Sequence, residues 1–244
     1  MDPKILEKLK RLKIQLQKDC SCKNSGCMYC SARFDLYERC AASSIPMKYW
    51  DLKLSDIGGT LGVDRIQKYI DQLEQAYDNG NGMFISGKNG NGKTLAACSI
   101  GKEALKRNYT VRFTFLNEII TSFSDAMYDP SWRARLKKDI LEVDFLIIDD
   151  IDKAYISEDS KYVNSILDTL FRTRVQNCRP VIITANVGLD LILKSKEEVF
   201  SKSLLSLFDE SLLQVSFIGN DKRKDLKKEA ADKFFGIDGN SNNK

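Results

Sequence analysis

Residues 83–97 read MFISGKNGNGKTLAA, and this stretch decides the fold. Met83 to Ser86 is a short apolar strand, and Leu95 to Lys106 has the composition of a helix. Between them, Gly87 to Thr94 matches the pattern G-x-x-x-x-G-K-[ST] in full. A glycine-rich loop in this position points successive backbone N–H groups at an anion, and the helix adds the positive end of its dipole. The stretch therefore predicts a phosphate-binding loop in an α/β protein.

The loop's polar side chains suit a nucleoside triphosphate with Mg²⁺. Lys93 is placed to reach the β- and γ-phosphates, and Thr94 offers a hydroxyl to the metal ion. A chance glycine turn is the alternative, but strand, loop and helix follow in the order that the motif requires. The residues expected to bind ATP are Gly87, Asn89, Gly90, Asn91, Gly92, Lys93, Thr94 and Leu95.

A carboxylate at the end of a neighbouring buried strand should complete the site. The apolar run Phe145 to Ile148 ends in Asp149 and Asp150. We expect Asp149 to hold Mg²⁺ and Asp150 to orient or deprotonate the attacking water, although solvated loop aspartates would give the same pattern. A second apolar strand, Val181 to Thr184, leads to Asn186, which either contacts the γ-phosphate or simply forms a turn.

Strands and helices alternate from residue 83 onward, which is typical of a parallel sheet covered on both faces. The prediction is an α/β core with a parallel sheet flanked by helices and a small C-terminal lid. At 244 residues the chain is long enough for this core and a small accessory module. We expect an N-terminal helix and cysteine-rich module at 1–45, the core with its lid at 46–236 and a disordered tail at 237–244.

Five of the seven cysteines lie between residues 20 and 40, and the chain has no histidine. Four thiolates within reach of one another predict a tetrahedral zinc site, with a redox pair and unliganded thiols as alternatives. The expected ligands are Cys20, Cys22, Cys27 and Cys30, with Cys40 as a possible substitute. Cys98 and Cys178 are expected to be core residues. The lack of histidine excludes Ser-His and Cys-His nucleophilic mechanisms.

The charge pattern and hydropathy suggest a soluble, cytoplasmic protein. The net charge is only +4, so that affinity for nucleic acid would have to come from local basic patches. No segment has the apolar length of a signal peptide or a membrane span. The N-terminal helix carries Ile5, Leu9, Leu12 and Leu16 on one face, and this apolar stripe either packs on its own chain or docks to a partner.

Together these motifs resemble the AAA+ ATPases of the DnaC and DnaI helicase loaders and the related IstB transposition ATPases, over about residues 45 to 235. The resemblance rests on residues 87–94, the Asp149-Asp150 pair, the ending Thr184-Ala185-Asn186, and residues 219–223. It implies that Asn186 acts as sensor 1 and that Arg223 is the sensor 2 arginine, reaching the nucleotide from the lid. It also implies self-association through the ATP interfaces, and it gives the cysteine module a role in contacting the helicase or regulating access to DNA.

One departure from the family pattern concerns hydrolysis. Where the family has Ser-Arg-Leu, with an arginine finger for the neighbouring subunit, this chain reads Ser206-Leu207-Phe208. Leucine cannot stabilise the transition-state charge, and losing such an arginine lowers hydrolysis by orders of magnitude in related chemistry. We therefore expect ATP binding with slow hydrolysis. Residues considered as substitutes are Lys202, Arg172, Arg174 and Arg179.

Two segments are candidates for contact with single-stranded DNA. One follows the second core strand, and the other is a basic run that contains tryptophan; stacking and phosphate neutralisation would suit a single strand. A buried strand residue and a solvated helix face are the respective alternatives. The residues concerned are Thr114, Phe115, Asn117, Trp132, Arg133, Arg135, Lys137 and Lys138.

These observations predict an ATP-dependent loader that binds a replicative DNA helicase and places it on single-stranded DNA during initiation, with ATP as an assembly switch. The predicted cofactors are ATP, Mg²⁺ and Zn²⁺. Three alternatives stay open: an IstB-like transposition regulator, a P-loop kinase of a small metabolite, and a nucleotide-gated DNA-binding scaffold with little hydrolysis. The cysteine module favours the loader, and no arginine-rich kinase lid is visible in the sequence.

Overall fold

Five parallel strands form one sheet in the order β2-β3-β4-β1-β5. The strands have five to seven residues, and the three central ones, β3, β4 and β1, are almost entirely buried, as expected for parallel strands covered on both faces. The strands are β1 (Gly82–Gly87), β2 (Val111–Phe115), β3 (Phe145–Ile151), β4 (Val181–Ala185) and β5 (Leu212–Phe217). The predicted α/β class with a parallel sheet is confirmed.

This computed structural model describes residues 2–20, 27–151, 160–186, 188 and 202–219. The helices in these ranges are α1 (Pro3–Asp19), α2 (Met28–Ala42), α3 (Val63–Asp71), α4 (Leu73–Asp78), α5 (Lys93–Lys106), α6 (Leu116–Tyr128), α7 (Pro130–Leu136), α8 (Ser160–Gln176) and α9 (Lys202–Ser211), with a π-helix at Lys137–Leu141. The last part of the predicted core and lid, residues 220–236, and the predicted tail, residues 237–244, lie outside the described residues. Among the described residues, none of the helices is long and apolar enough to cross a membrane.

The two faces of the sheet are buried in separate hydrophobic clusters. Because side chains alternate along a strand, Ile147 faces α5 and the N-terminal helices, whereas Leu146 and Ile148 face the side of α6, α8 and α9. Helices thus cover both faces of the sheet. Because the strands are parallel, the polar residues that follow them lie together at the side of the sheet formed by their carboxyl ends.

The apolar stripe of α1 is buried within the chain. Leu9 is 6% exposed, and Ile5, Leu12 and Leu16 pack against the same cluster as the face of the sheet under α5. Of the two alternatives left by the sequence, packing on its own chain is the one observed. Most of the contact surface of this stripe is therefore engaged with the chain's own core, while Ile5, Leu12 and Leu16 stay partly exposed.

The segment between α2 and α3, residues 43–62, which we call the connector, is fastened to α5. Lys102 of α5 donates from Nζ to the carbonyl oxygens of Tyr49, at 2.7 Å, and Leu52. Trp50 is buried and donates from Nε1 to the carbonyl of Ile45 at 2.8 Å. These bonds satisfy buried polar groups of an irregular segment, so the connector lies in a defined position along the loop-bearing helix.

A buried arginine fastens the amino-terminal ends of β3 and β4, at the side of the sheet opposite to the phosphate-binding loop. Arg174 of α8 is fully buried, and its guanidinium donates to four backbone carbonyls at 2.8–3.3 Å. The four carbonyls belong to Ile140, Leu141, Asp144 and Pro180. Burial, reinforced by the charge of Arg179, lowers the pKa of Arg174, but the group stays a cation at neutral pH. This residue fastens the π-helix and the starts of two strands together.

Candidate nucleotide-binding site

The loop between β1 and α5 takes the shape that phosphate binding needs. Gly87 has φ 147° and Gly92 has φ 89°, which side-chain-bearing residues rarely adopt. A Cβ on Gly87 would lie 2.4 Å from the carbonyl oxygen of Phe217, and one on Gly92 would lie 2.8 Å from a methyl of Ile57. Both glycines are therefore required by backbone angle and by close packing against β5 and the connector.

Lys93 lies at the centre of the site and is 7% exposed. Its Nζ donates to the carbonyl oxygens of Gly87 at 2.8 Å and Lys88 at 3.0 Å, and to Oδ1 of Asn186 at 3.0 Å. The three bonds hold the ammonium group over the loop, between two neighbouring strand ends. Phosphate oxygens are stronger acceptors than these neutral ones, so a bound nucleotide would compete well for the same N–H groups.

Asp149 at the end of β3 faces Thr94 at the start of α5. Its Oδ2 lies 3.3 Å from the Thr94 hydroxyl, and its Oδ1 accepts a hydrogen bond from the Thr184 hydroxyl at 2.7 Å. A carboxylate and a hydroxyl at this separation offer the hard oxygen ligands that Mg²⁺ prefers. Burial raises the pKa of Asp149, against the opposing effect of both hydrogen bonds. A cation beside it would favour the charged form.

Asp150 is held in a left-handed conformation, with φ 55°, at an irregularity in the β3–β4 pairing. Its N–H donates to the Thr184 hydroxyl at 2.8 Å, and its Oδ1 accepts from Nδ2 of Asn186 at 2.9 Å. An aspartate with positive φ is uncommon and persists where the surroundings fix it. The bend aims an exposed carboxylate beside Asn186 and, through it, towards Lys93.

The structure thus brings together the predicted Lys93, Thr94, Asp149, Asp150 and Asn186. Arg223 lies outside the described residues. Thr184, whose hydroxyl joins both aspartates, was not among the predicted site residues. One feature of the sequence could have indicated this role: Thr184 is a small hydroxyl-bearing residue near the end of the apolar strand β4. That strand lies between β3 and β1, which carry the other site residues.

The substitutes considered for an arginine finger have other contacts. Arg174 is buried among carbonyls, and this buried position excludes it as a finger. Arg172 pairs with Asp168 at 2.7 Å, and Arg179 lies 3.5 Å from Asp144. Leu207, which stands at the family's finger position, packs against the hydrophobic cluster under α8. The side chain of Lys202 lies outside the described part of the chain.

Three of the predicted zinc ligands come together. The sulfur atoms of Cys20, Cys27 and Cys30 lie within 4.8 Å of one another. Tetrahedral zinc–thiolate geometry requires sulfur atoms about 3.8 Å apart, which small shifts would achieve. Cys20 is disulfide-bonded in this structure, and Cys22 lies outside the described residues. The residues present fit a zinc site once Cys20 is reduced.

Two of the other cysteine expectations need correction, those for Cys40 and Cys178. Cys40 is fully buried in the core beside α5, where burial raises its pKa to about 12, so it is not a substitute ligand. Cys98 is buried, as expected. Cys178 is exposed, because it lies in the turn after α8 and not in the core.

The candidate DNA-contacting residues divide into buried and exposed ones. Thr114 is buried and donates to Glu118 at 2.7 Å. Phe115 and Trp132 are each 40% exposed, so Phe115 is not the buried strand residue that its alternation suggests. The guanidinium of Arg135 lies 5.1 Å from the Trp132 ring centroid, and the basic residues of α7 face solvent.

Comparison with known proteins identifies the same core. The model of the IstB-like ATP-binding protein family matches residues 44–228. No curated protein matches the chain. Among solved structures, the DnaC helicase loader superposes with a TM-score of 0.59 at 18% identity, over 71% of this chain and 100% of that one.

Two further structures share the fold. A putative primosome component from Streptococcus pyogenes serotype M3 has a TM-score of 0.57 at 19% identity, over 74% of this chain and 93% of that one. The replication initiator DnaA bound to AMPPCP and single-stranded DNA has a TM-score of 0.57 at 21% identity, over 78% of this chain and 56% of that one. The chain therefore spans about half the length of this initiator, and at these identities the likeness establishes the fold alone.

Proposed function

Because the chain belongs to the family of IstB-like ATP-binding proteins, we propose that it is an ATP-dependent loader that places a replicative DNA helicase on single-stranded DNA. One observation carries the proposal: the loop lysine, the hydroxyl and the carboxylates of a nucleotide site lie together in a chain that covers 100% of the solved chain of the DnaC helicase loader, whereas it covers 56% of that of DnaA. The primosome component from S. pyogenes points to the same process.

In the proposed cycle, ATP binds over the loop and Lys93 exchanges its carbonyl partners for phosphate oxygens. Thr94 and Asp149 would hold Mg²⁺, which screens the phosphate charge when it is bound. Asp150 orients the attacking water, and Asn186 fixes that carboxylate at 2.9 Å while also contacting Lys93. Arg223, as sensor 2, would reach the nucleotide from the segment after residue 219. Without an arginine at residue 207, hydrolysis is slow and serves to reset assembly.

We further propose that Cys20, Cys22, Cys27 and Cys30 bind zinc and order the N-terminal helices for contact with the helicase. In the zinc-bound, reduced protein, Cys27→Ser should lower the zinc content from about one ion per chain to a small fraction of that. Cys40→Ser should keep the zinc, because that thiol lies in the core. Metal analysis of both purified variants decides the assignment, and equal zinc loss in both would overturn it.

Single-stranded DNA is proposed to stack on Phe115 and Trp132, with the arginines of α7 neutralising its phosphates. Replacing either aromatic residue by Ala should weaken binding by about tenfold, since stacking contributes about 1–3 kcal/mol per base. Titration of a labelled oligonucleotide measures this, and Leu61→Ala, an exposed apolar residue elsewhere, is the control. Unchanged binding in both aromatic variants would exclude this surface.

The loader proposal is tested by reconstitution on circular single-stranded DNA. The replicative helicase of the same organism is mixed with the full chain, with or without ATP and Mg²⁺, and helicase bound to the circle is isolated by gel filtration. We expect ATP to increase the bound helicase, Lys93→Ala to remove that increase, and Lys106→Ala to retain it. Lys106 is the matched control because it lies on the same helix, exposed and paired with Glu103.

Each of the other outcomes identifies an alternative. No ATP-dependent transfer of helicase would overturn the loader proposal. Stimulation of a transposase on duplex DNA would favour the IstB-like regulator. Binding of nucleotide and single-stranded DNA without helicase transfer or measurable hydrolysis would favour the nucleotide-gated scaffold.

A further inference from the structure

Asn91 of the phosphate-binding loop is buried against β5, although its position is variable in the motif. It is 2% exposed, and its Nδ2 donates to the carbonyl oxygen of Phe217 at 3.2 Å. Gly87, at the other end of the loop, presses on the same carbonyl, since a Cβ there would lie 2.4 Å from it. The first residue of the loop, Gly87, and Asn91 within it therefore both contact the last residue of β5.

The end of β5 is joined in turn to the connector. Leu61 and Ile218 form an antiparallel bridge with N···O distances of 2.9 and 3.4 Å. Gly62 then starts α3 in a left-handed conformation, packed so closely that a Cβ would lie 2.8 Å from the carbonyl of Ser216. The loop thus reaches the connector through β5, and it also touches the connector directly where Ile57 covers Gly92.

Two buried polar atoms flank this junction without a hydrogen-bond partner among the described residues. They are Oδ1 of Asn91 and the hydroxyl oxygen of Thr60. Thr60 lies against Gly219, since a Cβ on that glycine would be 2.9 Å from its hydroxyl. Buried polar groups are almost always paired, and an orphan marks either stored strain or a second arrangement in which the partner is present. The junction is therefore the least satisfied part of the loop's surroundings.

We propose that Asn91 is a positioning residue that couples nucleotide occupancy to the connector, and through it to the N-terminal helices. This inference rests on the proposed nucleotide binding. When bound phosphates accept hydrogen bonds from the loop's N–H groups, the loop becomes ordered. The hydrogen bond from Asn91 then holds the end of β5 against the loop, and the Leu61–Ile218 bridge, which follows β5 directly, is ordered with it. The connector is fastened to α5 by Lys102, so the ordering passes along residues 57–62 towards α2.

The test measures hydrogen exchange of the Leu61 and Ile218 amides in the full chain, with and without AMPPCP and Mg²⁺. In the wild type, the nucleotide should slow exchange of both amides by about tenfold or more. In Asn91→Ala at saturating nucleotide, the slowing should be lost. Gln214→Ala, an exposed residue of the same strand, should retain it. Asn91→Asp keeps the side-chain shape but removes the donor, and it should behave like Asn91→Ala.

Nucleotide binding is measured in parallel by titration, which separates the two proposals. If the wild type binds no nucleotide, the proposed function fails and this inference fails with it. If it binds nucleotide but the bridge amides are not slowed, or are slowed equally in Asn91→Ala, only the coupling role is overturned. Should Asn91→Ala not fold, the shorter donor in Asn91→Ser gives the answer, since it cannot reach the Phe217 carbonyl and should also lose the slowing.

Discussion

Two carboxylates five residues apart, Asp144 and Asp149, stand at opposite ends of β3 and have opposite electrostatic surroundings. Burial alone would raise the pKa of Asp144, but hydrogen bonds from Thr110 and Tyr77 hold that pKa below its usual value. Asp149 is more deeply buried, and burial raises its pKa despite the hydroxyls of Thr184 and Thr94. One end of the strand favours the charged carboxylate, and the other does not.

We call the side of the sheet where β3 and β4 begin the structural edge, and the side where β1, β3 and β4 end the ligand edge. The opposite pKa shifts of Asp144 and Asp149 distinguish these two sides. At the first, Asp144 accepts from Tyr77 and twice from Thr110, and Arg174 reaches four carbonyls, although its buried Nε has no partner among the described residues. At the second, Asp149 accepts from two hydroxyls, Asp150 has a left-handed backbone, and Oδ1 of Asn91 has no partner in the described part of the chain. Incomplete satisfaction at a strand's carboxyl end is expected where a ligand completes the site.

The largest stability effect is expected at the structural edge, from Arg174→Met. This change leaves several buried carbonyls without their donor and should lower the free energy of unfolding by on the order of 4 kcal/mol. Urea unfolding followed by circular dichroism measures it. Arg172→Met is the matched control on the same helix, and its solvent-exposed pair with Asp168 should contribute little to stability. Similar losses in both variants would contradict the structural role of Arg174.

The next effect is expected at the ligand edge, from Lys93→Ala. It should lower ATP hydrolysis by about a hundredfold or more, because an electrostatic contact to the transferring phosphoryl group is lost. The loss of stability without nucleotide should be smaller than in Arg174→Met, since the released carbonyl and amide oxygens lie at a part-buried site where water can replace the ammonium group. Steady-state hydrolysis and urea unfolding are measured on the same sample. A stability loss as large as that of Arg174→Met would remove the distinction between the edges.

The two carboxylates should respond to pH with opposite sign. For Asp144, whose folded pKa is lowered, stabilisation is present above the unfolded value of 3.8 and disappears as the pH falls through the folded pKa. Asp144→Asn should therefore cost about 2 kcal/mol at neutral pH and little in acid. The measurement is the urea midpoint across pH 3 to 7, taken without nucleotide and at about constant ionic strength.

For Asp149 the folded pKa is raised, so its favourable contribution is present below 3.8 and is lost as the pH rises through the folded pKa. Asp149→Asn should then stabilise the nucleotide-free protein at neutral pH, with the gain vanishing in acid. The same variant should lose about tenfold to a hundredfold in Mg²⁺-dependent hydrolysis. A neutral-pH destabilisation like that of Asp144→Asn would show that the two ends of β3 are electrostatically alike.

The grouping of Lys93, Thr94, Asp149 and Asp150 at the ligand edge could be predicted from the sequence, because these residues lie in short motifs, whereas the role of Thr184 could not. Residues 87–94 and the Asp149-Asp150 pair each follow an apolar strand, and parallel topology places such endings side by side. The structural edge left no comparable signal. From the sequence alone, Arg174 cannot be distinguished from a solvent-exposed arginine on a helix. Its role depends on backbone carbonyls up to 34 residues away in sequence.

Exposure was also hard to predict where it depends on distant packing. Phe115 alternates like a core residue but ends β2 at the edge strand of the sheet, where it is 40% exposed. Cys40 belongs to the cysteine-rich segment, yet it lies on the face of α2 that packs into the core. Cys178 was expected in the core but follows the end of α8 in a turn. Local spacing gives the face of an element, and only the tertiary arrangement decides what covers that face.

The smallest expected effect concerns Thr184, which connects the two aspartates of the ligand edge. Its hydroxyl donates to Asp149 and accepts from the N–H of Asp150, so Thr184→Val keeps the shape of the side chain and removes both bonds. The variant should lose about 1–2 kcal/mol of stability. Hydrolysis should fall by about tenfold, because Asp150 is no longer fixed. Thr184→Ser should restore both values, and if it does not, the methyl group and not the hydroxyl positions the two aspartates.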